Sequence, residues 1–293
     1  MDSGNLRGAG LMVMAMLCFA IEDMFIKLLG GAIPVGQLIA LLGGGGALLM
    51  AGACGWRREP LVSRDLLAPP VVIRNIGEVF GTLGFVSALV LVPLATASAI
   101  LQTTPLMVTL GAALFLGEVV GWRRWLAICV GLSGVLLIVR PGMAGFDRNV
   151  LFAVQGMIGL SIRDLATRRV PASLSALQLS FTAFALLVPT GVAVMWMAGT
   201  AFVVPDMREW GLLAIAALIG AFSYRFIVMA MRMGEVSFVT PFRYSRMVFA
   251  LIIGGVIFAE VPDALTLIGV VIVIASGLFT LWRERISKLP LRS

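Results

Sequence analysis

Histidine is absent from the chain, charged residues are scarce and cysteines are few. Without histidine the protein lacks the commonest general base and metal ligand of enzymes. Charged residues make up 13% of the sequence and hydrophobic residues 60%, so there are too few polar groups to cover a soluble domain. Cys18, Cys54 and Cys129 all lie in apolar runs, where cysteine usually acts as a small hydrophobe, and no disulfide is expected.

Long apolar runs fill the sequence instead, and the mean hydropathy is +1.05. About 20 apolar residues are needed for a helix to cross the hydrocarbon of a bilayer. Segments of this kind predict an all-α integral membrane protein with ten spans, at roughly 8–29, 34–54, 69–91, 94–116, 124–139, 149–167, 173–198, 210–231, 236–258 and 264–282. The net charge of +7 comes mostly from short loops, and no nucleic-acid motif accompanies it.

The two halves of the chain repeat each other. The stretch 88–134 recurs, much altered, at 230–277, so that Glu118 and Glu260, which each end an apolar run, correspond at an offset of 142. Earlier in each half the offset is 141, as between Gln37 and Gln178. We therefore predict two five-helix domains, residues 1–142 and 143–293, and expect the functional site where the halves meet.

Loop charge predicts the orientation. If the N-terminus is cytoplasmic, the outer loops hold only Arg140, Arg148 and Arg208, and the inner segments hold Arg7, Arg57, Arg58, Arg64, Arg123, Arg124, Arg168, Arg169, Arg232, Arg283, Arg285, Lys288 and Arg292. Basic residues concentrate on the cytoplasmic side of membrane proteins, so both termini are expected in the cytoplasm. The protein itself is expected in the inner membrane. Five helices per half is an odd number, which makes the two repeats inverted.

The motifs resemble the EamA family of the drug/metabolite transporter superfamily over the whole chain. The resemblance rests on LFLGEVVGWRRWLAICVGLSGVLLIVRPG in the first half and PFRYSRMVFALIIGGVIFAEVPD in the second, although Met247 stands where a counterpart of Pro105 is expected. It implies secondary transport by alternating access, with no catalytic residue, no cofactor and no metal. Within the family we favour exporters of aromatic or hydrophobic amino acids, working as a monomer or a weak homodimer. Glu118 and Glu260 are expected to anchor loops.

Charged residues inside the spans are the candidate site, because charges in a bilayer normally face protein or a water-filled interior. They are Glu22, Asp23, Lys27, Arg74, Glu78, Arg163, Asp164, Arg225, Arg243 and Arg246. Six basic groups against four acids favour a substrate with a carboxylate, which arginine can hold through two hydrogen bonds. Alternatively, the charges neutralise one another, with Glu22 facing Arg163, and with Asp23 and Asp164 pairing with Lys27 and Arg168.

Our hypothesis assigns roles to named residues. Arg243 or Arg246, with Tyr244 and Gln102, binds the carboxylate, while Glu22 or Glu78 receives an ammonium group or a coupling proton. Polar positions of both halves, including Arg163, Thr82 and Ser98, are expected to converge on one cavity. The side chains expected to contact the apolar part of the substrate are Tyr224, Phe222 and Met247.

Other functions fit the sequence less well. An organic anion or a drug-like metabolite is the alternative substrate. An intramembrane enzyme would need a nucleophile, an acid/base pair or a metal cluster, and a channel usually assembles a pore from symmetric subunits. No phosphate-binding loop of the GxxxxGK[ST] type occurs, which argues against direct use of ATP. Proton coupling is compatible with an intramembrane acid but is not indicated by any motif.

Overall fold

The computed structural model describes residues 3–118, 120–143, 146–233 and 236–288, except the side chains of 3, 224, 228, 232, 236, 237 and 284–288. In this part every regular element is helical, and ten helical stretches are long and apolar enough to cross a membrane. The all-α prediction and the ten spans are therefore confirmed. The helices are α1 (Ser3–Leu29), α2 (Val35–Arg57), α3 (Pro69–Leu91), α4 (Leu94–Leu101), α5 (Thr104–Phe115), α6 (Trp122–Val139), α7 (Val150–Thr167), α8 (Ala176–Ala198), α9 (Met207–Met233), α10 (Val236–Val239), α11 (Ser245–Phe258) and α12 (Ala264–Lys288).

The fourth and ninth spans are both interrupted. The fourth consists of α4 and α5, with Pro105 in the first turn of α5. The ninth consists of α10, a 3-10 turn at Thr240–Tyr244 that contains Pro241, and α11. Proline has no backbone N–H and clashes with the preceding turn, so a regular helix cannot continue through it. Both prolines therefore lie where their spans are interrupted, although Met247 stands at the position where the sequence repeat places the counterpart of Pro105.

The helices group into two compact units, and each unit takes segments from both halves of the sequence. One unit comprises Met1–Met24, Val92–Val150 and Ile219–Ser293, and the other comprises Phe25–Leu91 and Leu151–Leu218. We call them unit A and unit B. The division follows different lines from the two predicted sequence domains, because α1 and α9 each contribute to both units.

Glycines allow close helix packing within each unit. In unit B, a Cβ placed on Gly84 of α3 would lie 2.6 Å from the backbone nitrogen of Gly156 in α7. In unit A, a Cβ on Gly134 of α6 would lie 3.0 Å from the carbonyl oxygen of Gly269 in α12, and the reverse distance is 2.7 Å. Any side chain would force these backbones apart. Small residues drive helix association in lipid because van der Waals contact replaces the hydrophobic effect there.

Two repeat-related glutamines fasten loops in unit B. Gln37 in α2 is fully buried, donates from Nε2 to the carbonyl of Val203 at 2.6 Å and accepts from the Val203 N–H at 2.9 Å. Gln178 in α8 donates to the carbonyl of Pro60 at 2.7 Å and accepts from the N–H of Ser175 at 3.0 Å. Both amide groups are satisfied, as buried polar groups must be. The correspondence of Gln37 with Gln178 therefore holds in structure as well as in sequence.

Two loop contacts tie the ends of helices in unit A. Oε2 of Glu260 accepts a hydrogen bond at 2.8 Å from the N–H of Leu94, the first residue of α4. A carboxylate suits this position because the first N–H groups of a helix have no partner within the helix. The guanidinium of Arg140, just after α6, donates to the Asp263 carboxylate before α12. Glu260 therefore anchors a loop to a helix end, as expected from the sequence.

Candidate functional site

Unit B contains a ladder of alternating charges on α3 and α7. Arg163 Nη1 lies 3.4 Å from Oε1 of Glu78, and Arg74 Nη2 lies 3.8 Å from Oε2 of Glu78. On the other side, Arg163 Nη2 lies 2.8 Å from Oδ1 of Asp164. The hydroxyl of Thr82 donates to Glu78 at 3.3 Å. Each acid of the ladder therefore has a basic neighbour. Such compensation is what the cost of charges in a bilayer demands.

This ladder changes the predicted roles of three residues. Arg163 contacts Glu78 and Asp164 within unit B. Asp23 pairs with Arg246 and Asp164 with Arg163, whereas the sequence suggested Lys27 and Arg168 as their partners. Glu78, Arg163 and Thr82 satisfy one another, which favours a structural function for them.

Unit A contains a buried ion pair between α1 and α11. Nη2 of Arg246 lies 2.8 Å from both carboxylate oxygens of Asp23, and Nε lies 3.1 Å from Oδ2. Asp23 is 2% exposed, and the guanidinium carbon of Arg246 lies 5.0 Å from the centre of the Phe19 ring. A guanidinium held through two nitrogens and an aromatic face is firmly fixed. The carboxylate-binding role predicted for Arg243 or Arg246 therefore falls more readily to Arg243.

Arg243 lies where the two interrupted spans meet within unit A. It belongs to the 3-10 turn at Thr240–Tyr244, its side chain is exposed, and α11 begins two residues later at Ser245. Nε2 of Gln102, the residue that follows α4, donates to the Arg243 carbonyl at 2.7 Å. The N–H of Ser245, the first residue of α11, is bonded to the carbonyl groups of Phe242 and Arg243, so the positive charge offered here is that of the Arg243 side chain. An exposed arginine makes this region attractive to an anion.

Tyr244 and Ser98 are buried away from any open surface. Tyr244 is 6% exposed and its hydroxyl lies against Gly277 of α12, where a Cβ would collide with it. Ser98 is fully buried in α4. In the part of the chain that the structure describes, neither hydroxyl has a hydrogen-bond partner. The side chain of Tyr224, also a predicted site residue, lies outside the described part. Met247 is fully buried and Phe222 is exposed.

Glu22 differs from the other acids of the spans. It lies in α1 beside Asp23, and its side chain is partly exposed. Its carboxylate lies against Gly220 of α9, where a Cβ would be 2.7 Å from Oε1 and 3.0 Å from Cδ. Across the described ranges no hydrogen bond or ion pair to Glu22 is found. It is thus an acid without a hydrogen bond or ion pair of its own in the described part of the chain.

Sequence reasoning missed the Asp23–Arg246 pair and the contact of Glu22 with Gly220. The pair joins residues 223 positions apart, and no local spacing could reveal it. The contact of Glu22 with Gly220 likewise joins residues far apart in the sequence, in α1 and α9. No group of histidine, cysteine, aspartate or glutamate side chains among the described residues could hold a metal ion.

Comparison with known proteins decides the family. The model of the EamA-like transporter family matches the chain twice, at residues 6–140 and 148–282. The chain belongs to the EamA-like transporter family. It is therefore a multi-pass membrane transporter of small metabolites, within the drug/metabolite transporter superfamily. Its family and its relatives are transporters, which fits the prediction that it is not an enzyme.

Several curated relatives of this EamA-like transporter are known. An S-adenosylmethionine uptake transporter of Rickettsia felis is 27% identical over 214 residues, which are 73% of this chain and 72% of that protein. A pseudopaline exporter of Pseudomonas aeruginosa is 26% identical over 273 residues, 92% and 94% of the two chains. A riboflavin transporter of Rhizobium johnstonii is 27% identical over 211 residues, 72% and 69% of the two. A solved crystal structure shares the fold at a TM-score of 0.60 and 21% identity, and covers 98% of this chain and 99% of that one.

Proposed function

We propose that this transporter moves a small metabolite that carries an α-amino carboxylate, an amino acid or a close derivative, across the inner membrane by alternating access. The observation that carries the proposal is the exposed Arg243 in the interruption of the ninth span, two residues before α11. Transporters of this general design bind substrate where membrane helices are discontinuous, and the positive ends of half-helices face anionic groups.

Arg243 suits a carboxylate better than its neighbours do. Its guanidinium can hold both oxygens of a carboxylate in parallel hydrogen bonds. Arg246, one turn later, already uses two nitrogens on Asp23. Because Gln102 holds the Arg243 carbonyl, the backbone that carries the side chain is fixed, and less entropy is lost when a ligand binds. The exposed guanidinium of Arg243 therefore forms the proposed carboxylate site.

The relatives support a metabolite and leave the exact compound open. S-adenosylmethionine, which the Rickettsia relative takes up by its name, is itself an amino-acid derivative with an amino and a carboxylate group. Other relatives are named for pseudopaline and riboflavin. We propose export of aromatic or hydrophobic amino acids as the specific activity, with both termini cytoplasmic as the distribution of basic loop residues predicts.

The test is counterflow in proteoliposomes that contain the full chain. Liposomes are loaded with one unlabelled amino acid at a time, and uptake of the labelled form is measured at equal pH on both sides. Saturable uptake is expected for a subset of amino acids, and Arg243→Ala should raise KM by about tenfold or more, since a charge-assisted bidentate contact contributes about 1.5–3 kcal/mol. Arg243→Lys keeps the charge but loses the planar fork, so an intermediate KM is expected.

The matched control is Arg208→Ala, which removes an exposed arginine from the first turn of α9. It should leave KM unchanged. If no amino acid exchanges while organic anions or cationic dyes do, the amino-acid proposal is wrong and the chain carries another substrate. If amino acids exchange equally well with Arg243→Ala, the substrate class stands and Arg243 is not its carboxylate ligand.

A further inference from the structure

The internal repeat identifies one place where the two halves differ in charge. The offset of 141 aligns Glu22 with Arg163, and the offset of 142, carried ten residues back from Ala88, aligns Glu78 with Gly220. In unit B, Arg163 and Glu78 form an ion pair between α7 and α3. The equivalent positions of unit A hold Glu22 in α1 and Gly220 in α9. An acid–base pair in one half thus corresponds to an acid and a glycine in the other.

Gly220 determines where the Glu22 carboxylate can lie. A Cβ on Gly220 would be 2.7 Å from Oε1 and 3.1 Å from Oε2, closer than van der Waals contact allows. The missing side chain therefore provides the space for the carboxylate against α9. Glycine in the middle of a helix normally weakens it relative to alanine. This packing gives a physical reason for glycine at position 220.

The described residues around Glu22 form no ion pair with it. Asp23 is its neighbour in α1, and Arg246 of α11 binds Asp23 through two nitrogens. Arg225 lies five residues after Gly220, which places it on a different face of α9. Cys18, one turn before Glu22, offers no positive charge. Glu22 is therefore a partly exposed acid within a membrane span that has no ion-pair partner of its own among the described residues.

We propose that Glu22, seated against Gly220, binds the positively charged amino group of the transported metabolite. The inference rests on the proposed function and adds a second contact to it, an ammonium site at Glu22 in addition to the carboxylate site at Arg243. A cation is the ligand that a carboxylate without an ion-pair partner favours in a membrane, because charges there are paired or face water. The proposed substrate itself carries such a cation, its ammonium group.

The experiment compares an amino acid with its 2-oxo analogue, which keeps the carboxylate and the side chain but lacks the amino group. Both compounds are tested as competitors of labelled amino-acid counterflow. The wild-type protein should prefer the amino acid by about tenfold or more. Glu22→Gln is isosteric and should reduce this ratio to nearly one. It should lower the apparent affinity for the amino acid and leave the apparent affinity for the 2-oxo acid unchanged.

A glycine pair on α9 provides the matched controls. Gly220→Ala places a methyl group against the Glu22 carboxylate and should also reduce the preference. Gly211→Ala makes the same substitution on the same helix at a position where the added Cβ meets nothing within 4 Å, and it should behave like the wild type. All variants are checked for folding by size-exclusion chromatography and thermal unfolding before transport is measured.

Three outcomes would overturn the assignment. The first is that Glu22→Gln keeps the wild-type preference for the amino acid and its affinities. The second is that the variant binds both competitors equally more weakly, which indicates a structural role. The third is that the variant keeps the preference and alters only the pH dependence of transport, which indicates a proton site. A wild-type protein that exchanges no amino acid refutes the proposed function instead. In that case Glu22 is tested with the solute that is exchanged. Its assignment stands only if the wild type prefers cationic over neutral analogues of that solute and Glu22→Gln abolishes this preference.

Discussion

Nε2 of Gln102 donates to the carbonyl oxygen of Arg243 over 2.7 Å and so joins the interruption of the fourth span to that of the ninth. The hydrogen bond holds the 3-10 turn at Thr240–Tyr244 against the end of α4. The contact fixes the turn that carries the Arg243 side chain. It connects the packing of unit A directly with the proposed carboxylate site.

Removing this donor should affect stability and substrate affinity together. Gln102→Leu keeps the approximate volume and removes this hydrogen bond, whose net contribution to stability is about 0.5–1.5 kcal/mol. We expect a lower midpoint of thermal unfolding and a higher KM for amino-acid counterflow. Gln155→Leu removes an analogous donor, Nε2 to the Phe80 carbonyl at 3.1 Å in unit B, and should leave KM unchanged. An unchanged KM in Gln102→Leu would contradict the role of this contact.

The ion pair of Asp23 and Arg246 should behave as one unit in stability measurements. Asp23→Asn or Arg246→Gln alone leaves a buried charge without its partner, and breaking a buried pair costs about 3–5 kcal/mol. The double substitution should destabilise less than the sum of the two. A double-mutant cycle of thermal unfolding in detergent measures the coupling. Additive effects would show that the two charges do not depend on each other.

Neutralising Glu78 should lower the unfolding temperature, and neutralising Glu22 should not. Glu78→Gln removes the acid that compensates Arg163 and Arg74, so the unfolding temperature should fall by several degrees. Glu22→Gln removes an acid that has no ion-pair partner among the described residues, so the unfolding temperature should stay equal or rise. Measuring both variants in the same detergent at neutral pH decides the matter. A large loss of stability in Glu22→Gln would mean that Glu22 has a structural partner.

The contact of Arg140 with Asp263 predicts a small dependence of stability on pH. The hydrogen bond from Arg140, with that from the N–H of Thr266, lowers the pKa of Asp263 below its ordinary value. The stabilisation is therefore present above the unfolded pKa of about 3.9 and is lost as pH falls toward the folded pKa. The side chain of Asp263 is 53% exposed, so screening by solvent keeps the effect small. Asp263→Asn should lower the unfolding temperature slightly at pH 7, and its difference from the wild type should shrink below pH 4.

Sequence reasoning predicted the spans and the repeat well and the ion pairs poorly. Hydropathy over about 20 residues is a local property, and the repeat is visible in equivalent residues such as Gln37 and Gln178. Partner choice among intramembrane charges depends on how helices are rotated and packed. Glu22 was matched with Arg163 because their positions are repeat-related, whereas the fold brings Arg163 to Glu78 and Asp23 to Arg246. Buried Tyr244 and Ser98 could not be told from exposed polar residues by spacing alone.

The measurement that tests the central claim most directly uses the wild-type protein and three internal solutes. Proteoliposomes are loaded with a transported amino acid, with its 2-oxo analogue or with the amine that lacks its carboxylate, and uptake of the labelled amino acid is followed. If the site recognises both charged groups, only the intact amino acid should drive rapid exchange, and each analogue should be about tenfold or more less effective. Equal exchange with all three solutes would contradict recognition of an α-amino carboxylate.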